Sequence, residues 1–267
     1  MPALADRELD RTRVPQRYDG KAAEALRTRW LHRAQRITDA ELREFALEVW
    51  DHPQAGPMLG AIGDASNFLS DCFLNDPQLL RDLVGQGHEP VWAQTIDQIG
   101  DIAITQRNPL MAALRRARTR AAAVIAWADL SGAWQLDEIT QALSAVADAT
   151  IRKAADYLIA EAQHRRDLEP PDSEQAVETN GVIVIAMGKL GAFELNYSSD
   201  IDLIVLFDPE RIRYRGPESP MAFAVRFARS LSHLLEHRTN DGYVLRVDLR
   251  LRPRLPWTAL ADVRADE

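Results

Sequence analysis

The sequence predicts a predominantly helical α+β fold, in which a helical N-terminal region is followed by a small mixed α/β core. Three observations carry this. Apolar residues recur at helical spacing through residues 109–163. A polar stretch with Pro170 and Pro171 then interrupts the pattern at 164–180. Beyond it come short β-branched runs next to glycine-rich turns, which is the signature of strands rather than helices.

Each element follows from local signals. Residues 1–20 are polar and broken by Pro2 and Pro15, and they read as a loose tail. Helices are predicted over 21–35, 39–50, 65–73, 77–85, 90–104, 109–129 and 136–163, within a helical region spanning 21–163. Pro53, Pro57, Gly60, Gly63, Pro77, Gly85, Gly87, Pro90, Pro109 and Gly132 mark the breaks. Leu110, Leu114, Ala117, Ala121 and Val124 share one helical face. Leu136, Ile139, Leu143, Val146, Ile151, Ala154 and Leu158 share another. The short Ser131-Gly132 turn makes these two an antiparallel hairpin. Residues 164–180 read as a linker, and 181–253 as the α/β core. Within the core, the apolar runs Val182–Ile185 and Ile201–Phe207 read as buried strands. Ser219-Pro220 supplies an N-cap and a first-turn proline. The following helix carries the stripe Phe223, Phe227, Leu231, Leu234 and Leu235. Asn240-Asp241-Gly242 ends it, and Tyr243–Arg252 reads as a third strand. Residues 254–267 form a divergent or truncated tail.

Composition excludes some functions. At 267 residues the chain can bury a proper core, and 46% hydrophobic with 27% charged residues is ordinary for a soluble domain. No apolar run reaches the roughly 18 residues that span a bilayer, and the N-terminus lacks a signal-peptide core. The net charge of −8 disfavours nucleic acid as a partner. Cys72 is the sole cysteine, so no internal disulfide forms, which fits a cytoplasmic location.

The chemistry concentrates in Ile183–Asp208, IVIAMGKLGAFELNYSSDIDLIVLFD. Gly188-Lys189-Leu190-Gly191 follows a strand and opens a short helical piece, either as a plain tight turn or as a backbone cradle for phosphate. Of the 32 basic residues only Lys21, Lys153 and Lys189 are lysine, so a lysine in that turn calls for a reason. Asp200-Ile201-Asp202 starts the next strand and puts both carboxylates on one face. They are either solvated acids or ligands of a hard divalent cation such as Mg²⁺ or Mn²⁺. In YVLRVDLRLR, alternation sets Arg246, Asp248, Arg250 and Arg252 opposite Tyr243, Leu245, Val247, Leu249 and Leu251. That polar face is either a salt-bridged surface or a third metal carboxylate flanked by phosphate-binding guanidiniums.

The order strand, GKxG turn, strand with DxD and later strand with one Asp resembles the polymerase-β-like nucleotidyltransferase fold. Here Gly188-Lys189 stands where that superfamily usually has Gly-Ser. MGKLGAFELNYSSDIDLIVLFD and DGYVLRVDLRLRP resemble, almost residue for residue, the signature of bacterial glutamine synthetase adenylyltransferases. FLSDCFLNDPQLLRDLV and LRRARTRAAAVIAWADLSG are similar to that family's N-terminal helical region, so the resemblance covers most of 60–253. It implies the N-terminal, adenylyl-removing part of a bifunctional enzyme of nitrogen regulation. That activity takes AMP from a tyrosine of adenylylated glutamine synthetase by phosphorolysis, giving ADP. Carried over, Asp200, Asp202 and Asp248 would be the catalytic and metal-binding carboxylates. Gly188, Lys189 and Ser199 would contact phosphate, with Arg246, Arg250 and Arg252 as further candidates. The implied partners are glutamine synthetase, ADP or ATP, phosphate and a PII signal protein. AMP transfer from ATP to a protein or small molecule is a second reading. A non-catalytic fragment that only binds glutamine synthetase or PII is a third.

Other polar clusters read as structural. Arg115, Arg116, Arg118 and Arg120 suit a solvated helix face. His233 and His237 are also expected on an exposed face. Trp92, Trp127 and Trp134 are expected to pack internally, and Cys72 to be a small buried residue.

Overall fold

The computed structural model describes residues 20–103, 106–170, 181–208 and 211–250, with the backbone of Ala259–Leu260. The N-terminal tail up to residue 19, the linker over 171–180 and most of the 254–267 tail lie outside the described residues. The fold is α+β and predominantly helical, as the sequence predicts. Helices α1 Lys21–Ala34, α2 Ala40–Glu48, α3 Ala55–Ala65, α4 Asn67–Asn75, α5 Pro77–Gln86, α6 His88–Gly100, α7 Arg107–Leu130 and α8 Leu136–His164 come first. The core follows as β1 Val182–Met187, α9 Gly188–Gly191, β2 Ile201–Phe207, α10 Pro220–Glu236, β3 Val247–Asp248 and β4 Ala259–Leu260. Among the described residues no helix is long and apolar enough to cross a membrane.

The chain divides into two compact units, residues 1–97 with 119–142, and residues 98–118 with 143–267. In the first, Trp30, Met58, Leu59, Ile62, Phe73 and Trp127 are fully buried. Side-chain caps set the helix starts. Asp39 accepts from Leu42 N–H at 2.8 Å, and Asp76, before the first-turn Pro77, accepts from Leu79 N–H at 3.0 Å. Trp127 meets Phe73 edge-on, and Trp92 meets Trp134 likewise at 5.5 Å, so all three tryptophans pack as expected. Cys72 is buried.

Helix α3 corrects the sequence reading, which treated Pro53, Pro57, Gly60 and Gly63 as breaks. Pro57 lies in its first turn, where proline costs no hydrogen bond. Gly63 serves close packing: a Cβ there would lie 2.9 Å from Ala23 Cα on α1.

In the second unit the strand order is β1-β2-β3, with β4 also pairing with β2. β1 and β4 run antiparallel to β2, and β3 runs parallel to it. Ile201, Leu203, Val205 and Phe207 of β2 pack into one core with Phe223, Phe227, Leu231, Leu234 and Leu235 of α10. Ile151, Ala154 and Leu158 of α8 and Leu110 and Leu114 of α7 complete it. Arg107 near the start of α7 pairs with Glu161 near the end of α8, as an antiparallel arrangement of these stretches requires. Leu136 departs from its expected stripe and is 75% exposed.

Two strand expectations are corrected. β1 is not buried on both faces: Val182, Val184 and Ala186 pack on the core, whereas Ile183, Ile185 and Met187 are exposed. The third strand is not continuous from Tyr243: the backbone N–H groups of Val244 and Leu245 bond to Leu235 O at the end of α10, and among the described residues of this stretch Val247–Asp248 alone pair with β2. The arginine cluster is also not a uniform solvated face. Arg116 is exposed, but Arg115 is fully buried, and Arg120 pairs with Asp76 at 2.8 Å in the first unit. His233 and His237 are exposed as expected, with their rings stacked 4.6 Å apart.

Two glycines give opposite predictions for the same added methyl. A Cβ on Gly56 would sit 2.2 Å from Trp50 O, whereas one on Gly85 meets nothing within 4 Å. Gly56→Ala should destabilise by about 1–3 kcal/mol, and Gly85→Ala should stabilise by up to about 1 kcal/mol. Denaturant unfolding of both variants checks this, and equal midpoints would refute the packing described.

Candidate functional site

The site is built by strand register. Met187 on β1 stands opposite Asp202 on β2, and Asp202 stands opposite Asp248 on β3. These three residues therefore form one row across the sheet. Met187 leads directly into the GKLG turn, and Asp200 lies just before β2, on the same side as Asp202 by strand alternation. The topology thus gathers at one end of the sheet the three features that the sequence scatters over some sixty residues.

Gly188 is tied to this row sterically. Its φ is +56°, and a Cβ there would lie 2.5 Å from Asp202 Oδ2. Only glycine leaves both the backbone turn and the carboxylate in place. The turn itself is the single helical turn α9, anchored by buried Leu190. Lys189 is exposed, and its backbone carbonyl accepts from Glu194 N–H at 2.8 Å. Phe193, just after the turn, takes a left-handed φ of +61° with its ring exposed. Ser199 is half-buried, and its N–H donates to Asn196 O at 3.2 Å.

The flanking guanidiniums engage the carboxylates. Arg246 Nε donates to Asp200 Oδ1 at 2.5 Å, and Arg246 Nη2 donates to Ser198 O. Arg250 Nη2 donates to Asp248 Oδ2 at 2.5 Å, and Nε reaches both carboxylate oxygens. The Arg250 N–H also donates to Asp248 Oδ1 at 2.8 Å. These side-chain and then backbone hydrogen bonds hold the Asp248 carboxyl at about 2, well below its ordinary 3.8. Among the described residues no three His, Cys, Asp or Glu side chains converge on one point as a ready-made metal cage. Asp200 and Asp248 are each turned toward an arginine instead. The donor set still suits a hard cation in kind: three carboxylates at one sheet end, with glycine beside the central one. In this arrangement the guanidiniums supply the positive charge that such carboxylates require. Arg252 lies outside the described residues.

Two residues that support the site escape sequence inspection. Glu236 Oε1 accepts the Val247 N–H at 2.8 Å, tying the end of α10 to the strand that carries Asp248. A signal existed, because an acid in the last turn of a helix opposes the helix dipole and needs another partner. Ser144 Oγ, fully buried on α8, accepts the Leu195 N–H at 3.2 Å and anchors the loop between α9 and Asp200. Its only sequence signal is a hydroxyl within an apolar stripe.

Comparison with known proteins gives the chain's relatives. A family model described as glutamate-ammonia ligase adenylyltransferase matches residues 58–262. The chain is 43% identical over 210 residues to a bifunctional glutamine synthetase adenylyltransferase/adenylyl-removing enzyme of Xanthobacter autotrophicus, covering 78% of this chain and 21% of that protein. It is 38% identical over 212 residues to the enzyme of the same name from Rhodopseudomonas palustris, covering 79% and 21%. The Bradyrhizobium sp. BTAi1 counterpart is 38% identical over 241 residues, covering 90% and 24%. The chain spans about a fifth to a quarter of the length of these curated relatives.

The ion pair at Asp248 gives a pH prediction. A depressed carboxylate pKa contributes stability that is present above the unfolded value and is lost as pH falls through the folded value. Arg250→Gln should raise the Asp248 titration midpoint from about 2 toward 3.8. The stability difference between wild type and variant should be present above pH 3.8 and vanish near pH 2. Carboxyl NMR titration reads the midpoint, and one that stays put would show that Arg250 does not hold Asp248 in solution.

Proposed function

The chain belongs to the glutamate-ammonia ligase adenylyltransferase family, and on that premise we propose that it carries a metal-dependent nucleotidyltransferase centre that removes AMP from adenylylated glutamine synthetase by phosphorolysis. The observation that supports this best is the row joining Asp202 to Asp248, with Asp200 beside it and Gly188 making room for the central carboxylate.

In this reading Asp200, Asp202 and Asp248 hold Mg²⁺, or Mn²⁺ in its place. Bound there, the metal would neutralise the phosphodiester and orient its reacting oxygens. The remaining work falls to the chain's own groups. Arg246 and Arg250 exchange their carboxylate partners for phosphate oxygens, which guanidiniums bind with matched geometry. Backbone N–H groups of the Gly188-Lys189 turn and the Ser199 hydroxyl contact the phosphates, and exposed Lys189 adds positive charge. An oxygen of orthophosphate forms a bond to the phosphorus of the AMP group. The bond from that phosphorus to the tyrosine oxygen breaks, the phenolate takes a proton, and ADP leaves. Because the attacking orthophosphate is itself an anion, positive charge from the arginine-rich rim would help it approach the phosphodiester.

Incubation of the chain with adenylylated glutamine synthetase, phosphate and Mg²⁺ should release ADP. Asp200→Asn with Asp202→Asn should lower that rate by on the order of 10²–10³-fold, the scale on which loss of a preorganised electrostatic contact acts. AMP transfer from ATP without phosphorolysis would reverse the assigned direction. Binding of glutamine synthetase by a folded chain that yields neither product would reduce the site to a docking module.

A further inference from the structure

We propose that Arg115 is a positioning residue for the third carboxylate: it fixes the end of α10 and the 237–242 turn, and so keeps Asp248 in register with Asp202. This rests on the reading of Asp200, Asp202 and Asp248 as the metal-binding edge.

Arg115 on α7 is fully buried, and among the described residues its hydrogen bonds all go to main-chain carbonyls. Nη1 donates to Met111 O at 2.8 Å and to Leu234 O at 3.3 Å, Nε donates to Gly242 O at 2.9 Å, and Nη2 donates to His237 O. Burial pushes its pKa down, and the charge of Asp241 partly offsets this. A cation without an ion-paired carboxylate is a costly way to fill a core position, and an apolar side chain would fill the volume more cheaply. What the guanidinium supplies is a fork of donors. Three of its acceptors lie in the last turn of α10 or the turn after it, where helix carbonyls lack partners and the dipole favours positive charge.

From that clamp a chain of bonds leads to the site. Leu235 O accepts the N–H groups of Val244 and Leu245, at 2.8 and 3.2 Å. Thr239 and Gly242 exchange backbone bonds across the turn. Glu236 accepts the Val247 N–H, and Arg246 O accepts the Ile201 N–H at 2.9 Å. Among the described residues β3 is Val247–Asp248 alone, a pair with little register information of its own. Its position relative to β2 is inherited from the end of α10, which Arg115 holds.

The test uses the whole chain, with Mn²⁺ alone as probe. Arg115→Met, Arg115→Lys and Glu236→Ala are titrated with Mn²⁺ by the EPR signal of the free ion, and amide hydrogen exchange is followed without metal. Folded Arg115→Met should bind Mn²⁺ at least ~10-fold more weakly and lose exchange protection over 237–250, with protection of α1–α5 unchanged. Arg115→Lys, which keeps the charge but not the fork, should recover part of the affinity. Glu236→Ala, which cuts the link to Val247, should also weaken Mn²⁺ binding. A folded Arg115→Met with wild-type Mn²⁺ affinity overturns the proposal. If that variant does not fold, Glu236→Ala decides, and unchanged affinity there overturns it. A wild type that binds no Mn²⁺ overturns the metal reading itself, and this role with it. Binding that persists unchanged in the variants removes the positioning role alone.

Discussion

Because β2 hydrogen-bonds to β1 on one edge and to β3 on the other, one register fixes the whole candidate site. Strand side chains alternate, so a slip of one residue would turn Asp202 into the core and Leu203 out of it. The core forbids that slip. Ile201, Leu203, Val205 and Phe207 are buried against α10 and α8, and exchanging them for a face carrying carboxylates would leave uncompensated charge in an apolar interior. Hydrophobic burial on one face of β2 therefore places the acids on the other. The site needs no separate device to aim Asp202.

The electrostatics follow from that placement. Like charges brought to one sheet end must be neutralised, and the chain does this locally with Arg246 and Arg250. Both pairs are solvent-exposed on the arginine side, where water screens them. In the proposed function an exposed guanidinium would release its carboxylate to a cation and turn to a phosphate. Gly188 contributes space rather than charge, and the two effects are independent: one sets the potential, the other the clearance.

Much of this was legible in the sequence, and the misses share a cause. The run Ile201–Phe207 announced both a strand and its polarity, and the stripe from Phe223 to Leu235 announced the helix that covers it. Both signals are periodic and local. The third strand was overextended because Tyr243–Arg252 alternates well, yet Val244 and Leu245 find a nearer acceptor in Leu235 O, and periodicity does not report competing acceptors. Helix α3 escapes a reading that takes glycine and proline as breaks, whereas Gly63 answers to Ala23 on α1, a neighbour distant in sequence. Arg115 was grouped with Arg116 by charge, although adjacent helical positions point in different directions. Ser144 acts on a backbone group far along the chain, a kind of contact that leaves almost no trace in residue types.

The acceptors of Arg115 are carbonyl oxygens, which every residue possesses. Changes of side chain at Leu234 or His237 would neither remove the acceptor nor call for a matching change at position 115. The coupling between α7 and the end of α10 is thus carried by atoms that substitution does not alter. Methods that infer contacts from correlated changes between positions would be blind to it, however strong the bond.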